Sequence, residues 1–211
     1  GLTNLIYLNL GLSGISGPIP FEIGQLTNLT YLDLSWNSLT GGGLTGSIPS
    51  EIGQLTNLTY LNLSWNQLSG SIPSEIGNLN NLISLGLNDN QFTGSLPSDI
   101  GQLNNLTSLY LYNNQLSGEI PESICNIYSN LVDFYIDNNQ FCPLYPECIN
   151  DEEIIGYQNC NNIDCGEDHI LFCDWCYNIE DTDTLVISPT YSYYDQNTCE
   201  IPPNIDKLVN L

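Results

Sequence analysis

The sequence has no arginine and a single lysine, Lys207, against 24 acidic residues, for a formal charge of −23. A surface of that sign repels nucleic acid and anionic membranes, so neither is expected as a partner. There is one histidine, His169, no Gly-x-Ser-x-Gly elbow, no phosphate-cradling glycine loop and no defined carboxylate pair. General acid–base, nucleophilic and phosphoryl-transfer chemistry therefore lack their usual parts, and a non-enzymatic role is expected. No run of eighteen apolar residues is present, so no membrane insertion is expected. The chain opens at Gly1 in mid-pattern, with no basic n-region or signal-peptide core, as a mature or excised segment would.

Cysteine is absent from the first 124 residues, and then eight occur: Cys125, Cys142, Cys148, Cys160, Cys165, Cys173, Cys176 and Cys199. An even number crowded into one half points to disulfides formed in an oxidising, extracellular compartment, secreted or at a cell surface. Acidity shifts at the same place, with eight acids in residues 1–126 and sixteen in the remaining 85. This shift marks a boundary, and the simplest reading of the excess is a solvated acidic surface that maintains solubility.

What the chain does have is self-similarity. Units start at Leu2, Leu26, Leu55, Leu79 and Leu103, at spacings of 24, 29, 24 and 24 residues, and a sixth, shifted unit runs through Leu131, Phe134, Ile136, Asn139 and Phe141. A near-constant period of this size specifies a repeat solenoid, in which each coil buries its apolar side against its neighbours. The longer unit holds a local duplication, Leu39-Thr40-Gly41 before Leu44-Thr45-Gly46, expected to bulge outward. Pairs such as Leu61 and Leu63 or Leu85 and Leu87 have the period of two of a strand, and these strands stack in parallel. Asn37, Asn66, Asn90, Asn114 and Asn139 recur at one position, where an amide can bridge the backbones of adjacent coils as a structural ladder.

Gly70-Ser71-Ile72-Pro73, Gly94-Ser95-Leu96-Pro97 and Gly118-Glu119-Ile120-Pro121, each followed by Ile-Gly or Ile-Cys, resemble the LTGxIP signature of plant-type leucine-rich repeats. That class is found in plant receptor-kinase ectodomains, polygalacturonase-inhibiting proteins and similar secreted bacterial proteins. The resemblance covers about two-thirds of the chain. It implies a parallel sheet on a concave face, with a second short strand near LTGxIP and 3₁₀ turns on the convex side. The first unit departs from it with Ser13 in place of the ladder asparagine. The expected organisation is a solenoid of about six coils over 1–141, a disulfide-rich capping region over 142–164, and an acidic segment over 165–211. The last of these resembles an N-terminal cap and half-repeat, through Cys173-Asp174-Trp175-Cys176 and Ile201–Leu211.

Alternation along a strand sends the residues between the inward leucines to the concave face. Tyr7, Tyr31, Tyr60, Tyr110 and Tyr135 fall there, with Trp36, Trp65 and Tyr112 in two further columns. Rigid aromatics mixed with Asn, Asp and Ser suit a protein, peptide or glycan ligand, though they can also merely tile the sheet. Asn28, Asn57, Asn62 and Asn105 stand in Asn-x-Ser/Thr sequons and are glycosylation candidates, although the repeat consensus itself generates such triplets. Cys165, His169, Cys173 and Cys176 have a spacing compatible with zinc, but the surrounding cysteines favour disulfides and no metal is expected. Glu180-Asp181-Thr182-Asp183 is a weak calcium candidate without EF-hand spacing; a solvated turn explains it as well.

Finally, Gly1-Leu2-Thr3-Asn4-Leu5 enters straight into a coil, while the last residues read as the second half of a repeat. Head-to-tail association is therefore expected, with Ile201, Ile205, Leu208 and Leu211 of one copy against Leu2, Leu5, Leu8 and Leu10 of the next, giving a fibre or a tandem array. A covalent Leu211–Gly1 junction would carry about five surplus residues relative to the repeat. The competing expectation is a monomeric module that binds a protein, peptide or glycan on the concave aromatics.

Overall fold

The computed structural model describes residues 2–141, 145–149, 155, 156 and 158, and the backbone of 169–172 and 175–178. The chain divides into two compact units, one of residues 1–141 with 145–159 and the other of 142–144 with 160–211.

The first unit is a solenoid of stacked coils. Its concave sheet has six parallel strands in chain order, Tyr7–Asn9, Tyr31–Asp33, Tyr60–Asn62, Ser84–Gly86, Ser108–Tyr110 and Asp133–Tyr135. The central leucines lie in one register, Leu61 beside Leu85 and Leu85 beside Leu109. A second six-stranded parallel sheet follows the LTGxIP segments, from Gly17–Pro18 to Gln140–Phe141. Between the sheets Leu32, Leu61, Leu85 and Leu109 are wholly buried, and Ile52, Ile76 and Ile100 close the core from the convex side.

Local chemistry sets each coil's path. Pro20, Pro49, Pro73, Pro97 and Pro121 stand immediately before the 3₁₀ helices that begin at Phe21, Ser50, Ser74, Ser98 and Glu122, with φ between −70° and −66°. Proline's fixed φ presets this turn without requiring an N–H. The glycine of Ile-Gly serves a different need. A Cβ on Gly24, Gly53, Gly77 or Gly101 would come within 2.6 Å of a backbone oxygen in the following coil, so only glycine permits that approach. Cys125 occupies the equivalent position in the next coil, where the neighbour is the cap, and its sulfur bonds Cys148.

The ladder is uniform. Asn90 Nδ2 donates to Leu87 O and Asn88 O of its own coil and to Leu63 O of the preceding one, and its Oδ1 accepts from Leu68 N. Asn66, Asn114 and Asn139 repeat this arrangement. Asn37 makes the same set of bonds, its Oδ1 accepting from Ile15 N, and in addition accepts from Ser13 N of the first coil, where serine departs from the pattern. Past Asn139 a glutamine takes over. Gln158 Nε2 donates to Ile136 O and Ile155 O, and its Oε1 accepts from Phe141 N. Ile149 and Ile155 are buried beside it, so the cap continues both the core and the ladder.

The duplication in the second coil forms a short helix, Ser38–Gly41, and Gly42 and Gly43 return the chain with φ of 95° and 73°. Tyr31 still pairs with Tyr60, so the insertion leaves the concave register intact. In the second unit His169–Phe172 and Trp175–Asn178 form an antiparallel hairpin. Of the remaining cysteines, Cys176 lies on this hairpin, whereas Cys142, Cys160, Cys165, Cys173 and Cys199 fall outside the described residues. The zinc-spaced set and Glu180–Asp183 therefore lie wholly or partly outside them, as do Ile201, Ile205, Leu208 and Leu211. Among the described residues no helix is long and apolar enough to cross a membrane.

Candidate functional site

Parallel, in-register pairing turns equivalent residues of successive coils into columns. In the first column Tyr7, Tyr31 and Tyr60 are followed by Ser84, Ser108 and Asp133. The tyrosine rings stack face to face at 4.3 Å between Tyr7 and Tyr31 and 4.4 Å between Tyr31 and Tyr60. In the second column Asn9, Asp33, Asn62 and Gly86 lead to Tyr110 and Tyr135, whose rings lie 5.7 Å apart.

Backbone pairing continues past the assigned strands. Trp36 N donates to Ser64 O, Trp65 N to Asn88 O and Asp89 N to Tyr112 O, which aligns Trp36 and Trp65 with Asp89, Asn113 and Asn138. Every residue of this column has positive φ: Leu12, Trp36, Trp65, Asp89, Asn113 and Asn138 lie between 51° and 59°. Asn and Asp tolerate this left-handed conformation, whereas a bulky side chain there is strained. Trp36 and Trp65 are nonetheless held in it, with their rings stacked at 4.4 Å. Sequence reasoning placed both indoles on the concave side but missed the strain. The available signal was Asn or Asp at the same position in the later coils.

Polar side chains brace the aromatics. Asp33 Oδ1 accepts from Ser35 N and Ser35 Oγ, and the Tyr31 hydroxyl donates to Asp33 Oδ2. Asn62 Oδ1 accepts from Ser64 N and Oγ, while its Nδ2 donates to the Tyr60 hydroxyl oxygen. Near the other end Ser108 Oγ and the Tyr110 hydroxyl both donate to Asp133 Oδ2, at 2.9 and 3.0 Å. Burial pushes the Tyr31 phenol well above its ordinary value, helped by Tyr60 and Asp33. Burial also raises Tyr110, with the bond to Asp133 adding to it, and raises Tyr112, with Asp89 and Asp137 adding to it.

Of the eight aromatics expected on the concave face, five lie on the strands and Trp36, Trp65 and Tyr112 just past them, and the eight fall into two groups along the chain. Tyr7, Tyr31, Tyr60, Trp36 and Trp65 form the first, and Tyr110, Tyr112 and Tyr135 the second. The sequon asparagines separate differently. Asn28, Asn57 and Asn105 are exposed and donate from Nδ2 to Thr3 O, Thr27 O and Asn80 O of preceding coils. Asn57 and Asn105 border a shallow groove of about 460 Å³ with Thr59, Asn81, Ile83 and Thr107. Asn62 instead sits within the concave network. Of the expected assembly residues, Leu2 is exposed and Leu5, Leu8 and Leu10 are partly buried.

A leucine-rich-repeat family model matches residues 57–79, 81–103 and 105–127, and a second one matches 25–46. No curated protein matches the chain. Among solved structures, the Arabidopsis receptor kinase HAESA in complex with the peptide hormone IDA and the co-receptor SERK1 is 38% identical, covering 66% of this chain and 22% of its own, with a TM-score of 0.61. The BIR2 ectodomain from Arabidopsis thaliana is 34% identical over 65% of this chain and 70% of its own, with a TM-score of 0.54. A plant ice-binding protein is 33% identical over 68% of this chain and 44% of its own, with a TM-score of 0.57. The chain spans about a fifth of the length of receptor structures such as the HAESA complex.

Proposed function

The chain belongs to the plant-type leucine-rich-repeat family, and on that premise we propose that it is an extracellular recognition module whose concave face binds an extended segment of a protein or peptide. The observation that carries this reading is the pair Trp36 and Trp65, held at φ of 59° and 55° in a column that later coils fill with Asp and Asn. A strained aromatic that packing alone does not require is the kind of feature binding sites retain. Stacked, half-exposed rings also supply rigid contact area at little entropic cost. Structural relatives solved in complex with a peptide hormone, such as HAESA with IDA, share this scaffold.

The test is binding to a displayed library of random linear dodecapeptides by the parent chain and by a Trp36→Asn/Trp65→Asn variant. The variant is expected to melt like the parent and to lose the enriched peptides. Retention of every peptide by a folded variant would remove the concave aromatics from the reading.

A second reading, head-to-tail association, draws on the first coil, where Leu8 and Leu10 are only partly covered although their counterparts Leu61 and Leu63 are fully buried. A segment carrying Ile201, Ile205, Leu208 and Leu211 from another copy could pack there. Sedimentation of the purified chain checks it, and a single monomeric species across a wide concentration range rules it out.

A further inference from the structure

The first concave column breaks off abruptly. Tyr7, Tyr31 and Tyr60 stack without a gap, and the next two positions in register are Ser84 and Ser108. One face of the Tyr60 ring is covered by Tyr31, and the other looks along the column over two half-exposed serines. Beyond them stands Asp133, whose Oδ2 leans back over Ser108 to accept its hydroxyl at 2.9 Å. Both intramolecular bonds to that carboxylate, from Ser108 and Tyr110, reach Oδ2, which leaves Oδ1 for a further donor. The result is a notch over the Ser84 and Ser108 strands, with an aromatic wall at one end and a carboxylate at the other, between residues three strand spacings or about 14 Å apart. Gly86 borders it in the adjacent column, where a Cβ would lie 2.7 Å from Asn62 Oδ1.

Charge selects the occupant. Residues 1–159 contain no lysine, arginine or histidine, so no coil supplies a cation to Asp133. Asp33, Asp89 and Asp137 add to the negative potential of the same surface. Shape narrows the choice further. The stacked rings cover one another's faces, so on the side toward Asp133 the stack ends in the face of Tyr60 above Ser84. A sugar-binding strip would instead present a run of open faces. An arginine side chain has the required form: an apolar stem to pack on a ring face and a weakly hydrated guanidinium whose N–H groups can reach the unfilled Oδ1.

We propose that the notch between Tyr60 and Asp133 is an arginine subsite, in which a ligand arginine rests its stem on the Tyr60 ring above Ser84 and pairs its guanidinium with Asp133. The inference rests on the concave-face reading above and names the chemistry of the peptide that reading requires. Lysine fits less well, because its compact, strongly hydrated ammonium gives up more solvation on reaching Oδ1 than a delocalised guanidinium does and has no planar face to lay against the ring.

The experiment uses the full chain and the dodecapeptide library. Enriched peptides are expected to contain arginine, and each is resynthesised with citrulline, which keeps the shape and removes the charge. Citrulline is expected to weaken binding about tenfold or more. Ser84→Tyr, which places in the fourth coil the residue that the first three coils carry, fills the notch and is expected to cause a similar loss without lowering the melting temperature. Asp133→Asn is expected to weaken the arginine peptides about tenfold and to leave their citrulline forms unchanged; it decides the question equally well should Ser84→Tyr fail to fold. Peptides that are lost in Trp36→Asn/Trp65→Asn yet indifferent to citrulline would overturn the arginine subsite while leaving the concave-face reading intact. A library with no enriched peptide overturns both. Neutral oligosaccharides bound by the parent and excluded by Ser84→Tyr, with no arginine preference among peptides, would reassign the notch to sugars.

Discussion

In coils two and three the concave side chains stack on one another, Tyr31 on Tyr60 and Trp36 on Trp65. In coils four and five the same positions hold Ser84, Ser108, Asp89 and Asn113, and the stack is interrupted. Behind the sheet the two halves are alike: Leu61, Leu85 and Leu109 are all fully buried, and Asn66, Asn90 and Asn114 make the same set of bonds. The coil-to-coil machinery is thus constant along the chain while the exposed face is free to differ. That division is what a recognition solenoid needs, because ligand contacts can vary without disturbing the period.

The largest expected effect tests the shared part. Asn90→Leu orphans the buried Leu68 N, at about 1–3 kcal/mol, and takes one of two donors from each of Leu63 O, Leu87 O and Asn88 O, which keep Asn66 Nδ2, Asn114 Nδ2 and Trp65 N, at about 0.5–1.5 kcal/mol per bond. A loss of about 3 kcal/mol or more is expected by urea denaturation, and about the same from Asn66→Leu and Asn114→Leu. Unequal losses across these three would show that the halves differ behind the sheet as well as on it. Next in size is Gly77→Ala, whose new Cβ would lie 2.5 Å from Asp99 O and force adjacent coils apart. Overpacking of this kind costs about 1–3 kcal/mol. A melting temperature equal to the parent's would mean that the convex approach is looser than the geometry implies.

On the concave face the expectation reverses, with small changes in stability and large changes in binding. Trp65→Asn relieves a left-handed strain of about 1–2 kcal/mol and loses a stacked pair of about 0.5–1.5 kcal/mol. The net change in stability is expected to be within about 1 kcal/mol of zero. A collapse of stability would make the indole stack structural and weaken its assignment to a ligand.

Much of this was legible in the sequence, for reasons that also explain what was not. The period and the ladder asparagines repeat, and repetition survives without coordinates. The alternation rule placed Tyr7, Tyr31, Tyr60, Tyr110 and Tyr135 on one face because a strand has two sides. Three features lay beyond that logic. The partner of Cys125 depends on how the cap folds, and nothing in the spacing singles out Cys148. Gln158 acts as a ladder residue although its chain position is off the period, since its longer side chain reaches the same kind of carbonyl groups. The notch is a property of what is missing between two columns: Ser84 and Ser108 become informative only once Tyr60 is known to stack on Tyr31 and Asp133 to lean over Ser108.

The smallest effect asks whether the two concave groups are electrostatically independent. Tyr31 and Tyr110 both have raised phenol values, chiefly through burial, and Asp133 contributes only to Tyr110. A phenol raised in the folded state ionises first in the unfolded chain. Its stabilising contribution is therefore complete below about pH 10, the ordinary phenol value, and is lost as pH climbs toward the folded one. Stability is expected to decline from about pH 10 upward. In Asp133→Asn the Tyr110 titration, followed by NMR of ring-labelled tyrosine, should move down but stay above the ordinary value, because burial remains the larger cause. The Tyr31 titration should not move, since its neighbours Tyr60, Asp33 and Tyr7 all belong to the first group. A matching shift at Tyr31 would mean that Asp133 is felt across the serine gap, and the concave face would then have to be treated as one electrostatic surface instead of two.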